Sequence, residues 1–189
     1  MRHPEVFLVT ALALGDYYLT LLGAGLAEQT YRRHFKSESY ELNPVWRRDV
    51  GRAAWFNPRH LLLAAVITGI LLWASETDLT PWFFPALFGM CLGAFVPIIA
   101  QHLGNIYMFD FLRRHPGEIS GEVTVSMRYA IVIALAQGFV VLAVLLVAAV
   151  MAPSPFIFGL LAGSSVLTAA RFSWLARARP PGGPATQQD

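Results

Sequence analysis

Residues 9–25 read VTALALGDYYLTLLGAG, an apolar run long enough to form most of a membrane-spanning helix, with one carboxylate, Asp16, at its centre. A charged side chain at that depth costs about 2.5–3.5 kcal/mol on insertion scales, so such a group faces a partner or a water-filled cavity and not lipid. The whole chain has the same character. Its 189 residues are 56% hydrophobic and 14% charged, against roughly a quarter charged in soluble domains. That balance predicts an all-α, polytopic membrane helix bundle. The formal net charge of +2 gives no reason to expect a nucleic-acid partner.

Five apolar segments approach the roughly 20 residues that cross a hydrocarbon core. They span about Val6–Ala27, His60–Ala74, Pro81–Ala100, Tyr129–Met151 and Pro155–Phe172. The second is short, and Trp55 and Phe56 before it read as an interfacial foot. The first segment also has the outline of a signal peptide: Arg2, an apolar core, then Gly25-Leu26-Ala27 as a cleavage site. Cleavage would leave Arg32, Arg33, Lys36, Arg47, Arg48, Arg52 and Arg59 outside, against the positive-inside rule. The second loop, SETDLTP, has no Lys or Arg, whereas the third has Arg113 and Arg114, and the C-terminal side carries Arg171, Arg177 and Arg179. The alternation predicts five transmembrane helices with the N-terminus outside and the C-terminus cytoplasmic. Residues 1–176 then form a single transmembrane domain, and the Pro/Gly-rich residues 177–189 a disordered cytoplasmic tail.

Helical pattern continues past the third apolar segment through QHLGNIYMFDFLRR, and Ser120 between Glu118 and Glu122 reads as the N-cap of the next helix. Gly89-x-x-x-Gly93 and Gly159-x-x-x-Gly163 have the spacing at which helix backbones approach closely, within one bundle or between the copies of a homo-oligomer. Pro97 should bend the third segment. Cys91, the single cysteine, reads as a small packing residue.

Depth along each helix brings Asp16, Thr20, Gln137, Thr68, Ser164 and Ser165 into one layer near the middle of the bundle. Asp16, Thr20, Gln137 and Ser164 are the expected substrate- or ion-binding residues; the alternative is that Asp16 is a protonated structural carboxyl bonded to Gln137 or Ser164. No Lys or Arg is placed at that depth. A second cluster belongs to the basic side: Glu41, Asn43, His102 and Asn105, with Gln101 and Asp110 nearby. Helix-borne His pairs and Cys-x-x-Cys are missing from the chain, so no metal is expected. Gly23-Ala24-Gly25 follows no strand, which removes a dinucleotide reading and leaves no cofactor implied.

Asp16-x-x-x-Thr20 followed by Glu41-x-Asn43-Pro44 resembles a group of small, uncharacterised prokaryotic multi-pass membrane proteins with an Asp-x-x-x-Thr first helix and a Glu-x-Asn-Pro loop. The likeness covers residues 10–75. It implies that Asp16, Thr20, Glu41 and Asn43 form one constellation in a prokaryotic inner membrane. Three functions fit these features. A small permease or channel-like protein would use the Asp16 site, working as a homo-oligomer among membrane lipids whose anionic headgroups meet the basic face. The alternatives are a non-catalytic accessory subunit and a lipid-modifying enzyme with its site at the cytoplasmic face.

Overall fold

The computed structural model describes residues 3–37, 40–77 and 80–178, so most of the tail expected to be disordered lies outside the described residues. Five long helices make up an all-α bundle: α1 (Val6–Leu26), α4 (Pro58–Glu76), α5 (Phe83–Arg114), α6 (Met127–Met151) and α7 (Pro155–Arg177). All five are long and apolar enough to cross a membrane. The short helices α2 (Arg32–His34) and α3 (Arg47–Gly51) lie in the loop between α1 and α4. The second apolar segment gains length at both ends. Pro58 takes the first helical position, and the Asn57 side chain accepts from the backbone N–H groups of Arg59 and His60.

At about 1.5 Å per residue, the 32 residues of α5 outrun a hydrocarbon core of about 30 Å. Its end therefore runs beyond the hydrocarbon core, as the continued helical pattern predicts, with Phe109 and Leu112 still buried. The expected start of the next helix is corrected. Ser120 caps nothing; Gly121 turns the chain at φ 84°, and Val123–Val125 form strand β2. β2 pairs in parallel with β1 (Phe35–Ser37), Phe35 opposite Val123. Two β-branched valines flanking a threonine favour an extended run over a helix. Ser126 is the actual cap, its oxygen accepting from Tyr129 N–H. Lys36 and Glu122 close the two-stranded ribbon with an ion pair at 2.6 Å.

Packing within the bundle is set by small residues. A Cβ at Gly89 or Gly93 would run into the backbone of Phe156 or Leu160, and one at Gly159 or Gly163 into that of Ala86 or Met90. The two glycine pairs therefore interlock α5 with α7 inside one chain. Helix α1 packs against both α5 and α4, and α6 packs along α7. At the end of the bundle where α1 and α7 begin, Val6, Val9 and Leu71 are fully buried. Phe84, Phe88 and Phe95 pack on them, with Cys91 among the surrounding side chains. Outward-facing side chains such as Val140, Val144, Val147 and Val150 are exposed, as a lipid-facing surface requires.

Helix α5 runs on through Pro97. Proline has no N–H to give the carbonyl four residues back, which is that of Gly93. The Ser164 hydroxyl of α7 donates to this oxygen at 2.7 Å. Proline and serine thus form a couple across the interlocked helices. Ser164→Ala is expected to cost about 1 kcal/mol, and nearly nothing when Pro97→Ala restores the N–H. A double-mutant cycle on thermal unfolding in detergent measures the coupling, and additive effects would dissolve the pairing.

Candidate functional site

Asp16 lies midway along α1, half-buried, and its partner comes from α5. His102 Nε2 stands 3.0 Å from Asp16 Oδ1 and 3.0 Å from Thr20 Oγ1. The Thr20 hydroxyl spends its own proton on the Asp16 backbone carbonyl at 2.7 Å, so only a lone pair is left to face the imidazole. Nε2 must therefore carry the hydrogen and donate to both oxygens. Nδ1, the acceptor of the ring in its neutral tautomer, is buried and has no hydrogen-bond partner among the described residues.

The loop before α4 is held under α1 by its own turn chemistry. Glu41 accepts from Asn43 N–H at 2.6 Å, and the Asn43 side chain accepts from Val45 N–H at 3.0 Å. The Asn43 carbonyl starts the turn into α3 by accepting from Trp46 and Arg47 N–H. Tyr40 packs edge-on against Phe109, and its hydroxyl lies over Gly23, where a Cβ would collide. Further anchoring comes from Tyr17, which donates to Ala54 O at 2.6 Å and stacks on His60. His60 in turn bonds Ala13 O at 2.7 Å.

These elements surround a cavity of about 270 Å³, lined by Asp16, Tyr40, Glu41, Asn43, His102 and Arg171 among others. It lies in the half of the bundle that carries the basic loops. A second cavity of about 380 Å³ between α5, α6 and α7 shares Gln101, Asn105, Gln137, Leu167 and Arg171 with the first. Burial pushes the Glu41 carboxyl up to about 7, and nearby Asp16 adds to the rise. Asn43 N–H, His102 and Arg47 pull the other way. Tyr40 is pushed by burial to about 12 and stays neutral.

The expected site residues separate into two groups. Asp16, Thr20 and His102 meet directly; Glu41, Asn43 and Asn105 share the first cavity with Asp16 and His102. Gln137 is bonded to Gln101, not to Asp16. Ser164 serves the Gly93 carbonyl, Ser165 bonds back to its own helix at Leu161 O, and Thr68 pairs with Thr10. Asp110 stands apart, paired with Arg113 and Arg114. Among the described residues no three His, Cys, Asp or Glu side chains converge on a metal-sized site.

Arg171 escaped sequence reasoning because it counted among the C-terminal basic residues. It is 5% exposed, donating to Ala134 O at 2.7 Å and to Gln101 Oε1 at 2.8 Å. A signal was present in the spacing. Gly159, Gly163, Ser164, Thr168 and Arg171 follow the 3–4-residue rhythm of one helical face, and all five are buried.

Comparison with protein families, with curated proteins and with solved structures finds no match to this chain. The fold and the site nevertheless define its class: a five-helix bundle of membrane-spanning character with a polar cavity at its core.

Proposed function

We propose that the protein is a small permease whose working site is the Asp16–His102 pair. The observation that carries this reading is the pair itself: a carboxylate and an imidazole 3.0 Å apart, halfway along a spanning helix and lining a cavity. Asp, Glu and His in series are the means by which pumps and transporters relay protons. Glu41, with a proton affinity near neutrality, supplies a further carboxyl lining the same cavity. The other end of the bundle is sealed by the Val6–Val9–Leu71 cluster and its phenylalanines. A cavity closed at one end is the form of a carrier open to one side. The distribution of arginines favours a cytoplasmic orientation for this cavity, and the resemblance of the Asp-x-x-x-Thr and Glu-x-Asn-Pro motifs favours a prokaryotic inner membrane. A single small chain makes a homo-oligomer the reasonable working unit.

One observation favours a lipid-modifying enzyme instead. Asp16 orients His102 through Nε2, and Nδ1 has no partner among the described residues, an arrangement suited to a general base.

Proteoliposomes separate the readings. Wild type is expected to move protons or monovalent cations with a pH-dependent rate. Asp16→Asn keeps an oxygen for the imidazole N–H but loses the titrating carboxyl. It should retain its thermal stability in detergent within a few degrees while losing most of the flux, roughly tenfold or more. Asp16→Leu should lose both. Wild-type vesicles without proton or cation flux across a broad pH range would reject the permease reading.

A further inference from the structure

Arg171 is buried and, among the described residues, forms no ion pair with a carboxylate. Its hydrogen-bond acceptors, Ala134 O and Gln101 Oε1, are both neutral. A buried cation without an ion-pair partner favours an incoming anion. A guanidinium has five N–H donors, so these two bonds leave capacity for a further acceptor. Arg171 lines both cavities, which gives an incoming anion somewhere to sit.

The surroundings say what kind of anion. The second cavity, about 380 Å³, combines a polar end of Gln101, Asn105 and Gln137 with an apolar wall of Pro97, Val141 and Leu167. Such a volume falls within the range of small-molecule sites. Helix α6 packs along α7 but is not closely packed on α5, and Gly104 and Gln137, on the two sides of that crevice, are exposed. In a bilayer this opening faces acyl chains. A polar midplane crevice open to lipid suits a molecule with one charged end and one apolar end.

We infer that the crevice between α5 and α6 binds an anionic amphiphile, its phosphate or carboxylate head on Arg171 and Gln101 and its chain along Pro97, Val141 and Leu167. Beyond the binding step, the inference rests on the permease reading: the amphiphile is the substrate, and a proton on the Asp16–His102 site offsets its charge during transfer. Binding stands by itself.

The test is binding by the full chain in neutral detergent, read by native mass spectrometry and by competition with a fluorescent fatty acid. Probes are phosphatidylglycerol, phosphatidylcholine with the same acyl chains, and inorganic phosphate. Phosphatidylglycerol is expected to bind roughly tenfold or more tightly than phosphatidylcholine, and Arg171→Met to abolish that preference, while Arg177→Met, which removes an exposed charge, leaves it intact. Val141→Trp, filling the crevice without touching the arginine, should displace both lipids, and it carries the test if Arg171→Met does not fold. Equal binding of the two lipids, unchanged preference in Arg171→Met, an equal loss in Arg177→Met, or unchanged binding in Val141→Trp would overturn the proposal. Inorganic phosphate binding as tightly as the lipid would replace the amphiphile by a free anion and overturn it too. Flux without amphiphile binding would reject this inference alone, whereas binding without flux would reject transport and leave the site.

Discussion

Gly163→Leu is expected to prevent α5 and α7 from assembling, with the purified protein either lost during extraction or unfolding far below wild type. A Cβ at Gly163 already overlaps the backbone carbonyl of Met90, so the extra atoms meet main chain on a neighbouring helix and not a side chain that can rotate away. Typical overpacking costs about 1–3 kcal/mol because side chains and backbone share the adjustment. Here relief requires the whole helix pair to separate, and Gly159, Gly93 and Gly89 would lose their close contacts with it. The penalty should therefore exceed that range. Gly163→Ala should show a smaller loss of the same kind. Ala162→Leu, one position away on an exposed face, should change little, since in lipid that side chain only exchanges one apolar contact for another. Thermal unfolding of the three variants in detergent makes the comparison, and equal behaviour of Gly163→Leu and Ala162→Leu would refute the interlock.

Glu41 should make stability fall as pH rises. Its carboxyl is pushed by burial from an ordinary value of 4.5 up to about 7 in the folded protein. Below the unfolded value the group is protonated in both states and contributes nothing to the pH dependence. Between 4.5 and about 7 the folded state still binds the proton that the unfolded state has released, so unfolding becomes easier with each step upward in pH. Above about 7 both states are ionised and the loss levels off. With about 1.4 kcal/mol lost for each pH unit across that window, the full loss reaches at most about 3 kcal/mol. Glu41→Gln should flatten the slope and unfold at a higher temperature than wild type at pH 8. Parallel pH profiles for the two proteins would show that the carboxyl is solvated and not buried under α1.

Part of the candidate site was legible because of depth and turn chemistry. An Asp in the middle of a spanning segment demands an inward-facing partner wherever the helices lie, and Glu41-x-Asn43-Pro44 announces a turn close to the membrane. The partner itself was not legible. Counting residues from each segment's edge placed Gln137 and Ser164 level with Asp16. However, α5 runs beyond its apolar part, and that extension carries His102 to Asp16. Ser164 was occupied by the carbonyl that Pro97 leaves open.

By itself the sequence determined the elements: five helices long and apolar enough to span a membrane, and two glycine pairs demanding close backbone contact. These depend on hydrophobicity and on 3.6-residue periodicity, which are local properties. Only the tertiary structure decided which helices those glycines join, that His102 rather than Gln137 meets Asp16, and that Arg171 turns into the bundle instead of out toward headgroups. In a bilayer apolar side chains gain little by choosing one apolar neighbour over another. Rotation and register are therefore set by small residues and by the few polar groups that must find partners, and those pairings connect positions as far apart in the chain as Gln101 and Arg171.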